Sequence, residues 1–406
     1  MIPTRRQAGV AALIFIAAAA AGMGTYVPGS AAAHGNGSQA VCGTPAPGSA
    51  RCHSRLLTKD GKTVTTSTPS GYGPSDLQAA YALPSSKNGV GQTVAIVDAY
   101  DDPNAVADVN RYRAQFGIST CKSGTQTTSG CTFANNATIR KVNEAGNPSP
   151  YPRANGGWAQ EISLDLDMVS AVCPNCSILL VEANSASMTD LGNGVNTAVG
   201  LHANVVSNSY GGGESSKDPS YDKSYFTHPG VVITASSGDS GYGVQYPAAS
   251  QYVTAVGGTS LSHNGSAWSE TAWSGAGSGC SSYDQKPTWQ TAATQCSMRA
   301  VADVSAVADP NTGVAVYDSL RYGGASGWLV FGGTSVASPV IASVYALAGN
   351  SNTASAQNPW TATGGLNDVI AGSNGNCPSA TSVWCNAGTG WDGPTGLGTP
   401  NSTSAF

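Results

Sequence analysis

Charged residues and histidines are scarce in this chain. Asp, Glu, Lys and Arg make up only 10% of the 406 residues, against roughly 25% in an average globular protein. The formal net charge is −5 and no basic run occurs, so a nucleic-acid partner is not expected. With only five histidines, the chain also offers few candidates for the usual general base.

Long apolar runs are missing except near the N-terminus. There, a run from about Ala8 to Gly22 follows an arginine pair, and small residues continue to Ala33. This pattern is typical of a secretory signal with an A-x-A cleavage site, and the run is too short for a comfortable membrane span. We therefore predict a signal peptide over residues 1–33, with general secretion favoured over twin-arginine export. The mature protein is expected to be extracellular and free of the membrane.

Ten cysteines agree with export, because disulfides persist in oxidising compartments. They stand in couples that are close in the sequence, which suggests local pairing. The predicted pairs are Cys42 with Cys52, Cys121 with Cys131, Cys173 with Cys176, Cys280 with Cys296, and Cys377 with Cys385. The third couple also has the C-x-x-C spacing of a redox site, but its place between a helical pattern and a strand favours a structural disulfide.

After a short polar lead at residues 34–70, read as a linker or short pro-segment, strand and helix patterns alternate through residues 71–406. The short apolar runs are TVAIVDAY, SILLVEA, NVVSNSY, VVITASSG and YVTAVGG. Helical patterns separate several of them: PNAVADVNRYRAQFG, GWAQEISLDLDMVSAV and SMTDLGNGVNTAVGLH. Continuous apolar strands separated by helices predict a single α/β domain, a parallel sheet with helices on both faces. Reactive groups are expected at the carboxyl ends of its strands.

One serine stands in an unusual setting. Ser335 lies in FGGTSVASPV, where Gly residues lead in and small residues and a Pro follow, as if the serine opened a helix. A hydroxyl is a poor nucleophile until a neighbouring base takes its proton. The histidines are His34, His53, His202, His228 and His263, and none has a glycine-rich catalytic setting. We interpret them as surface or structural residues, so Ser335 needs another base.

The candidate base lies in the helical pattern GGWAQEISLDLDMVSAV. On a helical wheel with Glu161 at zero, Asp165 falls at about 40°, in the middle of the apolar face. The residues Gln160, Ser163, Asp167 and Ser170 fall on the opposite, polar face. An exposed carboxylate pair at this spacing is the common alternative. Two carboxylates buried together must share a proton, and such a pair suits acid–base chemistry below neutral pH.

Two further aspartates follow predicted strands. Asp239 stands in SGDSG at a glycine-flanked turn, where an aspartate is most often a turn former. Asp98 ends the first core strand in VAIVDAYDD. We interpret Asp98 as a structural or cleft residue rather than a catalytic one.

Three segments together resemble the sedolisin family of serine-carboxyl peptidases, which has a subtilisin-like fold. They are GTSVASP, EISLD and SGDSG, and the likeness runs from about Gly71 to Asn401. The resemblance implies a serine-type peptidase that cuts polypeptides through an acyl-enzyme. Its nucleophile would be Ser335, with Glu161 as general base, and activity would belong to acidic solution.

The remaining catalytic roles also come from the resemblance. Asp165 would orient Glu161 and share its proton, and a protonated Asp239 would donate to the oxyanion beside the Ser335 backbone N–H. The segment VVSNSYGGGES is similar to the strand that lines the substrate cleft, which would place Ser209–Gly212 along a bound peptide. A glycine-rich turn is the alternative for these four residues.

The resemblance further implies one bound calcium ion near the C-terminus. Its ligands would be the carboxylates of Asp368 and Asp392 and the carbonyls of Val369, Gly388 and Gly390. A plain pair of turns is the alternative. No other cofactor is expected, and we expect a monomer.

Two other functions are the alternatives to a peptidase. A catalytically inactive, peptide-binding relative on the same scaffold would fit the fold, while a secreted esterase is disfavoured because no G-x-S-x-G elbow surrounds Ser335. Many sedolisins carry a large folded pro-domain, whereas about 37 residues separate the predicted signal site from Gly71 here. The sequence therefore gives no support for a self-inhibited precursor.

Overall fold

The structure, a computed structural model, describes residues 1–2, 36–350 and 355–406. The rest of the predicted signal peptide and His34 lie outside the described residues, while residues 35–406 form one compact unit. Its α-helices are α1 (Pro74–Ala80), α2 (Ala105–Gln115), α3 (Gly156–Val172), α4 (Met188–Gly200), α5 (Asp218–Tyr221), α6 (Thr334–Ala348) and α7 (Asn358–Thr361). Short 3₁₀ or π turns are Asp222–Phe226, Ala292–Thr294, Pro310–Thr312, Thr363–Gly365 and Ser379–Trp384.

The strands follow the chain from the lead to the C-terminus. In the first half they are β1 (Asn36–Ala40), β2 (Arg51–Cys52), β3 (Arg55–Lys59), β4 (Lys62–Thr63), β5 (Thr65–Thr66), β6 (Thr93–Ala99), β7 (Gly130–Thr132), β8 (Thr138–Asn143), β9 (Ser177–Ala183), β10 (Val205–Asn208) and β11 (Tyr210–Gly213). In the second half they are β12 (Val232–Ser236), β13 (Gln245–Tyr246), β14 (Thr254–Asn264), β15 (Ala267–Ala272), β16 (Gly279–Gln285), β17 (Met298–Val301), β18 (Val304–Val307), β19 (Val314–Tyr322), β20 (Ala325–Gly332), β21 (Leu366–Asn367) and β22 (Thr399–Pro400).

The main sheet has the strand order β15-β14-β12-β10-β6-β9-β8-β7, with β18 joined to β14. From β14 to β8 neighbouring strands run parallel, and β7 and β15 close the edges as antiparallel strands. The five predicted apolar runs are β6, β9, β10, β12 and β14, so the predicted parallel sheet is confirmed. Polar and apolar residues do not alternate along these strands, because both faces of the sheet are covered.

Helices cover the two faces of this sheet. Successive side chains of a strand point to opposite faces. In β6, Asp98 lies beside Glu161 of α3, since the charge of Glu161 acts on its pKa. The neighbouring Val97 packs on α4, where a side-chain carbon on Gly194 would come within 2.7 Å of it. The helices α3 and α4 therefore lie on opposite sides of β6. In the described part of the chain, no helix is both long and apolar enough to cross a bilayer.

The helix α3 has no exposed face, so the predicted polar face is wrong. Every residue from Gly157 to Val172 is buried. The helix packs against the main sheet on one side and against β19 of a second sheet on the other. Two of its polar side chains have partners inside the protein: the Tyr317 backbone N–H donates to Asp167 Oδ2 (2.9 Å) and the Ser163 hydroxyl donates to Asp102 Oδ2 (3.3 Å). Tertiary partners, rather than water, account for the polar stripe.

The second sheet includes the polar lead. Its strand order is β1-β3-β20-β19, with β4 paired to β3 and β5 paired to β20. The strand β20 ends at Gly332, immediately before the segment that contains Ser335. The lead is thereby joined by backbone hydrogen bonds to the strand that introduces the candidate nucleophile.

All five predicted disulfides are present, and each links cysteines no more than 16 positions apart. Both cysteines of the C-x-x-C couple, Cys173 and Cys176, are fully buried. This burial supports the structural interpretation over a redox role, because a redox cysteine has to be reached by its partner.

Candidate active site

Ser335 stands in the first turn of α6, as the sequence predicts. The preceding Gly333 has φ of 96°, a backbone conformation that favours glycine. A side-chain carbon on Gly333 would come within 2.0 Å of the His53 carbonyl oxygen and 2.7 Å of Asp239 Oδ2. Small residues surround Ser335 because other backbone approaches it closely.

The proline of the GTSVASP motif changes the hydrogen bonding of the same turn. Inside a helix, the N–H of residue 339 would donate to the carbonyl of Ser335, but Pro339 has no N–H. The Ser209 hydroxyl instead lies 3.4 Å from that carbonyl oxygen and donates to Asp165 Oδ1 at 2.9 Å. The Ser335 hydroxyl donates to the Ser209 carbonyl oxygen (3.2 Å). Ser209, at the carboxyl end of β10, thus links the serine to the carboxyl pair.

Glu161 and Asp165 lie one turn apart on α3, and both are fully buried. Burial raises the pKa of Glu161 to about 8, while the nearby Ser335 hydroxyl and the hydroxyl and N–H of Ser54 act in the opposite direction. None of these groups makes a hydrogen bond of normal geometry to Glu161, whose two carboxyl oxygens have no such partner among the described residues. Burial also raises the pKa of Asp165 well above its usual value, and the charges of Asp98 and Glu161 add to this effect. The two carboxyls therefore retain a proton between them well above the usual range of such groups.

Asp98 is a third carboxyl in the same buried group. It is fully buried, and neither of its carboxyl oxygens has a hydrogen-bond partner among the described residues. Burial and the charges of Glu161 and Glu182 raise its pKa well above the usual value. We interpreted Asp98 as a structural or cleft residue, and its place beside Glu161 and Asp165 makes it part of the electrostatics of the pair. Its position at the carboxyl end of a predicted strand was the sequence signal that could have placed it in the site.

Asp239 reaches the site from the turn after β12. Its Oδ1 accepts hydrogen bonds from the Thr334 N–H (2.8 Å) and hydroxyl (3.0 Å), while Oδ2 has no partner among the described residues. Burial raises the pKa of Asp239 to about 7. A protonated Oδ2 would direct a hydrogen toward the space beside Gly333 and Ser335. The residue is thus more than a turn former, although it also fixes the start of α6.

The polar lead occupies the predicted substrate cleft. β2 pairs antiparallel with β11, with Cys52 opposite Tyr210 and Arg51 opposite Gly211. The next residue, His53, continues this pairing, since its N–H donates to the Ser209 carbonyl oxygen (3.1 Å). An extended segment of the same chain is therefore paired with the cleft strand β11. A peptide bound by β-augmentation would pair with this strand in the same way.

His53 contacts Ser335 through its backbone. The Ser335 N–H, expected to point at an oxyanion, donates to the His53 carbonyl oxygen (3.2 Å). The His53 imidazole is 1% exposed and lies 2.7 Å from the Ser236 hydroxyl and 2.8 Å from Gln245 Oε1. Burial lowers its pKa to about 4. We interpreted His53 as a surface or structural residue, and nothing in the sequence indicated that it lies at the centre of the site.

The candidate calcium residues form a separate cluster near the C-terminus. The Gly390 N–H donates to Asp368 Oδ2 (2.9 Å), and the Gly388 N–H donates to Asp392 Oδ2 (3.0 Å). Asp392 is fully buried and Val369 is 3% exposed. Burial raises the pKa of Asp392 to about 7, and the charge of Asp368 adds to this effect. The structure brings the two loops together around two carboxyls that repel each other.

The model of the Subtilase family matches residues 124–363, which is more than half of the chain. This chain belongs to the subtilase family. Kumamolisin from Bacillus sp. (strain MN-32) is 30% identical over 378 residues, and sedolisin from Pseudomonas sp. (strain 101) is 27% identical over 380 residues. Both alignments cover about four fifths of this subtilase, 82% and 83%.

One solved structure supports the sedolisin-like form of the subtilase fold. It is Pseudomonas sedolisin, described as a serine-carboxyl proteinase, complexed with two molecules of pseudo-iodotyrostatin. The TM-score is 0.68 at 25% identity, over 82% of this chain and 96% of that one. This chain spans only about three fifths of the length of the two curated relatives, 62% and 61%.

The close approach at Gly333 can be tested in this subtilase with a matched pair of variants. Gly333 and Gly349 flank α6 and both have positive φ, but nothing lies within 4 Å of a side-chain carbon at Gly349. Gly349→Ala should lower the free energy of unfolding by about 1 kcal/mol, the cost of the backbone conformation. Gly333→Ala should lower the free energy of unfolding by about 1–3 kcal/mol more than Gly349→Ala does, because its side-chain carbon would also clash with His53 and Asp239. Urea denaturation of the full chain measures both, and equal losses would contradict the close approach.

Proposed function

We propose that this subtilase is a serine-carboxyl peptidase that hydrolyses polypeptides in acidic solution. The observation that carries the proposal is a buried carboxyl pair, Glu161 and Asp165, beside Ser335, where most serine nucleophiles have an imidazole. The Ser335 hydroxyl acts on the pKa of Glu161, and Ser209, which accepts the hydrogen bond from that hydroxyl, donates to Asp165 Oδ1. The buried Asp239 on the other side of Ser335 supplies a group that is neutral below about pH 7. The Pseudomonas sedolisin to which the fold is similar is a serine-carboxyl proteinase.

The proposed reaction begins at the Ser335 hydroxyl. Its oxygen attacks the substrate carbonyl carbon while Glu161 accepts the proton, and Asp165 holds the other proton of the pair. The resulting oxyanion accepts hydrogen bonds from the Ser335 N–H and the protonated Asp239. A preorganised donor of this kind contributes about 3 kcal/mol of transition-state stabilisation. Glu161 then passes its proton to the leaving amine, and water releases the acyl group from Ser335 by the same steps in reverse.

The proposed nucleophile and its base can be tested by substitution. Ser335→Ala and Glu161→Gln should each lower kcat/KM for a peptide library by at least about 1,000-fold, because each removes a step of acylation. Ser343→Ala is a matched control, since Ser343 is also fully buried in α6 and its hydroxyl has no hydrogen-bond partner among the described residues. It should retain activity. Unchanged hydrolysis by Ser335→Ala would favour a non-catalytic peptide-binding protein.

A bell-shaped pH profile is expected. Glu161 has to be ionised to act as a base, so the rate rises with pH on the acidic side. The rate falls on the alkaline side as Asp239, with a pKa of about 7, loses its proton and repels the oxyanion. Burial is the largest cause of the raised pKa values of Glu161 and Asp239. When a peptide and water replace the lead in the cleft, both groups are less buried and both pKa values fall. The pH of maximal rate therefore lies below neutral.

Asp239→Asn tests the alkaline limb of this profile. An amide donates a hydrogen at every pH, so the variant should keep part of its activity while the decline above neutral disappears. The measurement is kcat/KM from pH 3 to 8 for the parent and the variant. An unchanged alkaline limb would show that Asp239 is not the titrating group.

We also propose that the two C-terminal loops bind one calcium ion. Asp368 and Asp392 face each other without a basic partner within 4.0 Å among the described residues. Calcium prefers carboxylate and carbonyl oxygens, and the carbonyls of Val369, Gly388 and Gly390 lie in the same loops. When bound, the ion would neutralise the two carboxylates, whose repulsion otherwise adds to the effect of burial on the pKa of Asp392. This role is structural, because the loops are separate from Ser335.

Calcium removal tests this assignment. Chelation at pH 7 should lower the melting temperature of the parent by several degrees, since a ligand of the native state stabilises it by mass action. Asp392→Asn should lower the melting temperature in calcium and should reduce the further effect of the chelator. A chelator effect of the same size in Asp392→Asn would place the ion elsewhere.

Secretion, removal of residues 1–33 and a monomeric state are likewise proposals. Five disulfides support an oxidising compartment.

A further inference from the structure

Four carboxyl groups gather beyond the end of the cleft strand β11, apart from the group around Ser335. Glu214 directly follows β11, Asp218 and Asp222 belong to the helical segment after it, and Asp284 comes from β16. Three of these side chains are almost completely buried: Asp218 is 2%, Asp222 is 3% and Asp284 is 1% exposed. None of the four has a part in the reaction proposed above, so their burial needs another explanation.

Basic side chains do not balance the charge of this cluster. In the described part of the chain, no lysine or arginine nitrogen lies within 4.0 Å of the four carboxyl groups. Lys217 is exposed, and the Lys286 Nζ donates instead to the carbonyl oxygens of Thr291 (2.8 Å) and Cys296 (3.0 Å). Buried carboxylates without a positive partner are costly, so the cluster has to hold protons or bind a cation.

Hydroxyl and N–H groups hold two of the carboxyls in place. The hydroxyl and the N–H of Ser215 donate to Asp218 at 2.8 and 2.7 Å, and the Ser281 hydroxyl donates to Glu214. The Ser281 oxygen also accepts the Asp284 N–H (2.8 Å), so one serine links the two strands that carry Glu214 and Asp284. Donors that orient carboxylates in this way are typical of the surroundings of metal ligands.

Asp284 is the member of the cluster that lacks a donor. Neither of its carboxyl oxygens has a hydrogen-bond partner among the residues that the structure describes. A buried polar group without a partner costs about 1–3 kcal/mol, and a charged group costs more. One oxygen from each of Glu214, Asp218 and Asp284 lies within 4.8 Å of the other two. The unpartnered carboxyl therefore meets the two that are already held in place.

The spacing of these three oxygens fits calcium. Calcium lies about 2.3–2.6 Å from its oxygen ligands, so two ligands of one ion are at most about 5 Å apart. The remaining ligands can be water, because a cavity of about 590 Å³, lined in part by Glu214 and Asp218, gives access from solvent. Zinc prefers nitrogen and sulfur ligands, and magnesium demands a tighter octahedron. An all-oxygen, anionic set that is open to water therefore favours calcium.

We propose that Glu214, Asp218 and Asp284 bind a calcium ion, in addition to the ion proposed for the two C-terminal loops. The two sites share no ligand. Asp222 lies beside this one, where its charge acts on Asp284. The ion would replace the missing partner of Asp284 and would neutralise carboxylates that no basic side chain reaches.

The ion would join three segments around the cleft strand. They are the end of β11, the start of α5, and β16, which the disulfide between Cys280 and Cys296 also holds. On its other side, β11 pairs with β13 through Gly212 and Tyr246, and the Tyr246 hydroxyl donates to Asp222 Oδ1 (2.9 Å). The ion should therefore fix the end of the strand that would pair with a substrate. This consequence rests on the peptidase activity proposed above, whereas the site itself does not.

A shared proton is the competing explanation. Asp222 lies close enough to Asp284 for the two carboxyls to hold one proton between them. Burial raises the pKa of Asp284 to about 8, and the charges of Asp222, Asp218 and Glu214 add to this effect. A neutral acid in this place would need no cation. The two explanations differ in whether metal stays with the protein.

Metal counting separates them. The full chain is dialysed at pH 7 against micromolar calcium and millimolar magnesium and then subjected to elemental analysis. Asp284→Asn should hold one calcium ion fewer than the parent, whether or not the C-terminal loops bind theirs. Asp318→Asn is a matched control, since Asp318 is also buried and its Oδ2 has no partner among the described residues, and it should keep the parent's number. Equal calcium contents in the parent and Asp284→Asn would overturn the site and support the shared proton.

Two milder variants keep the test decisive if Asp284→Asn does not fold. Glu214→Gln changes a partly exposed ligand, and Ser281→Ala removes the donor that orients it. Calcium titration in the calorimeter, with both changes made in an Asp392→Asn background to isolate this site, should show a Kd at least about tenfold weaker for each. A Kd that neither change alters would place the ion elsewhere.

Peptide hydrolysis tests the effect on the cleft strand. Asp284 is too deeply buried to touch a substrate, so a change in KM in Asp284→Asn has to act through β11. Its KM should rise several-fold while kcat stays within about twofold, and added calcium should lower KM in the calcium-depleted parent alone. An unchanged KM in a variant that has lost the ion would refute the role in substrate binding and leave the metal site standing. A parent that holds the ion but hydrolyses no peptide would refute the proposed function and not the site.

Discussion

The exclusion of water from the carboxyls around Ser335 is the constraint on which this structure depends. Glu161, Asp165 and Asp98 are fully buried, and Asp239 is 7% exposed. In water each would ionise with a pKa near 4, whereas burial raises all four pKa values. A folded state that contains these groups must hold protons on them. An imidazole would need the opposite environment, since burial lowers the pKa of His53 in the same cleft.

The rest of the fold serves this burial. The helix α3 carries Glu161 and Asp165 between two sheets, so that neither carboxyl reaches solvent along the helix. The parallel sheet brings Asp98, Ser209 and Asp239 to one edge from three different strands or their following turns. Gly333 and Pro339 then allow α6 to start against that edge. The lead completes the cover over Ser335, which has no exposed surface.

Much of this arrangement could be predicted from local sequence. The apolar runs of β6, β9 and β10 lack alternation, which indicates a parallel sheet, and the small residues around Ser335 indicate close packing. The pairing of the cysteines could be predicted because a short loop brings its ends together at a low cost in entropy. The roles of the site residues remain predictions.

Other features depend on contacts between distant segments. The predicted polar face of α3 was wrong because hydropathy periodicity assumes that water covers polar side chains, whereas Tyr317 and Asp102 cover Asp167 and Ser163. The position of the lead could not be predicted from the sequence either. A strand as short as Arg51–Cys52 has no hydropathy pattern of its own, and it pairs with residues more than 150 positions away. The proximity of Asp284 to Glu214 has the same origin.

The disulfides have a consequence for how this molecule tolerates reduction. Because the largest separation along the chain is 16 residues, none of the five links connects remote parts of the topology. Each one restricts the unfolded chain only over a short stretch. Under mild reductants, loops should therefore loosen individually while the layered centre keeps its order. Resistance to heat then rests on apolar packing, while the covalent links hold short local segments together.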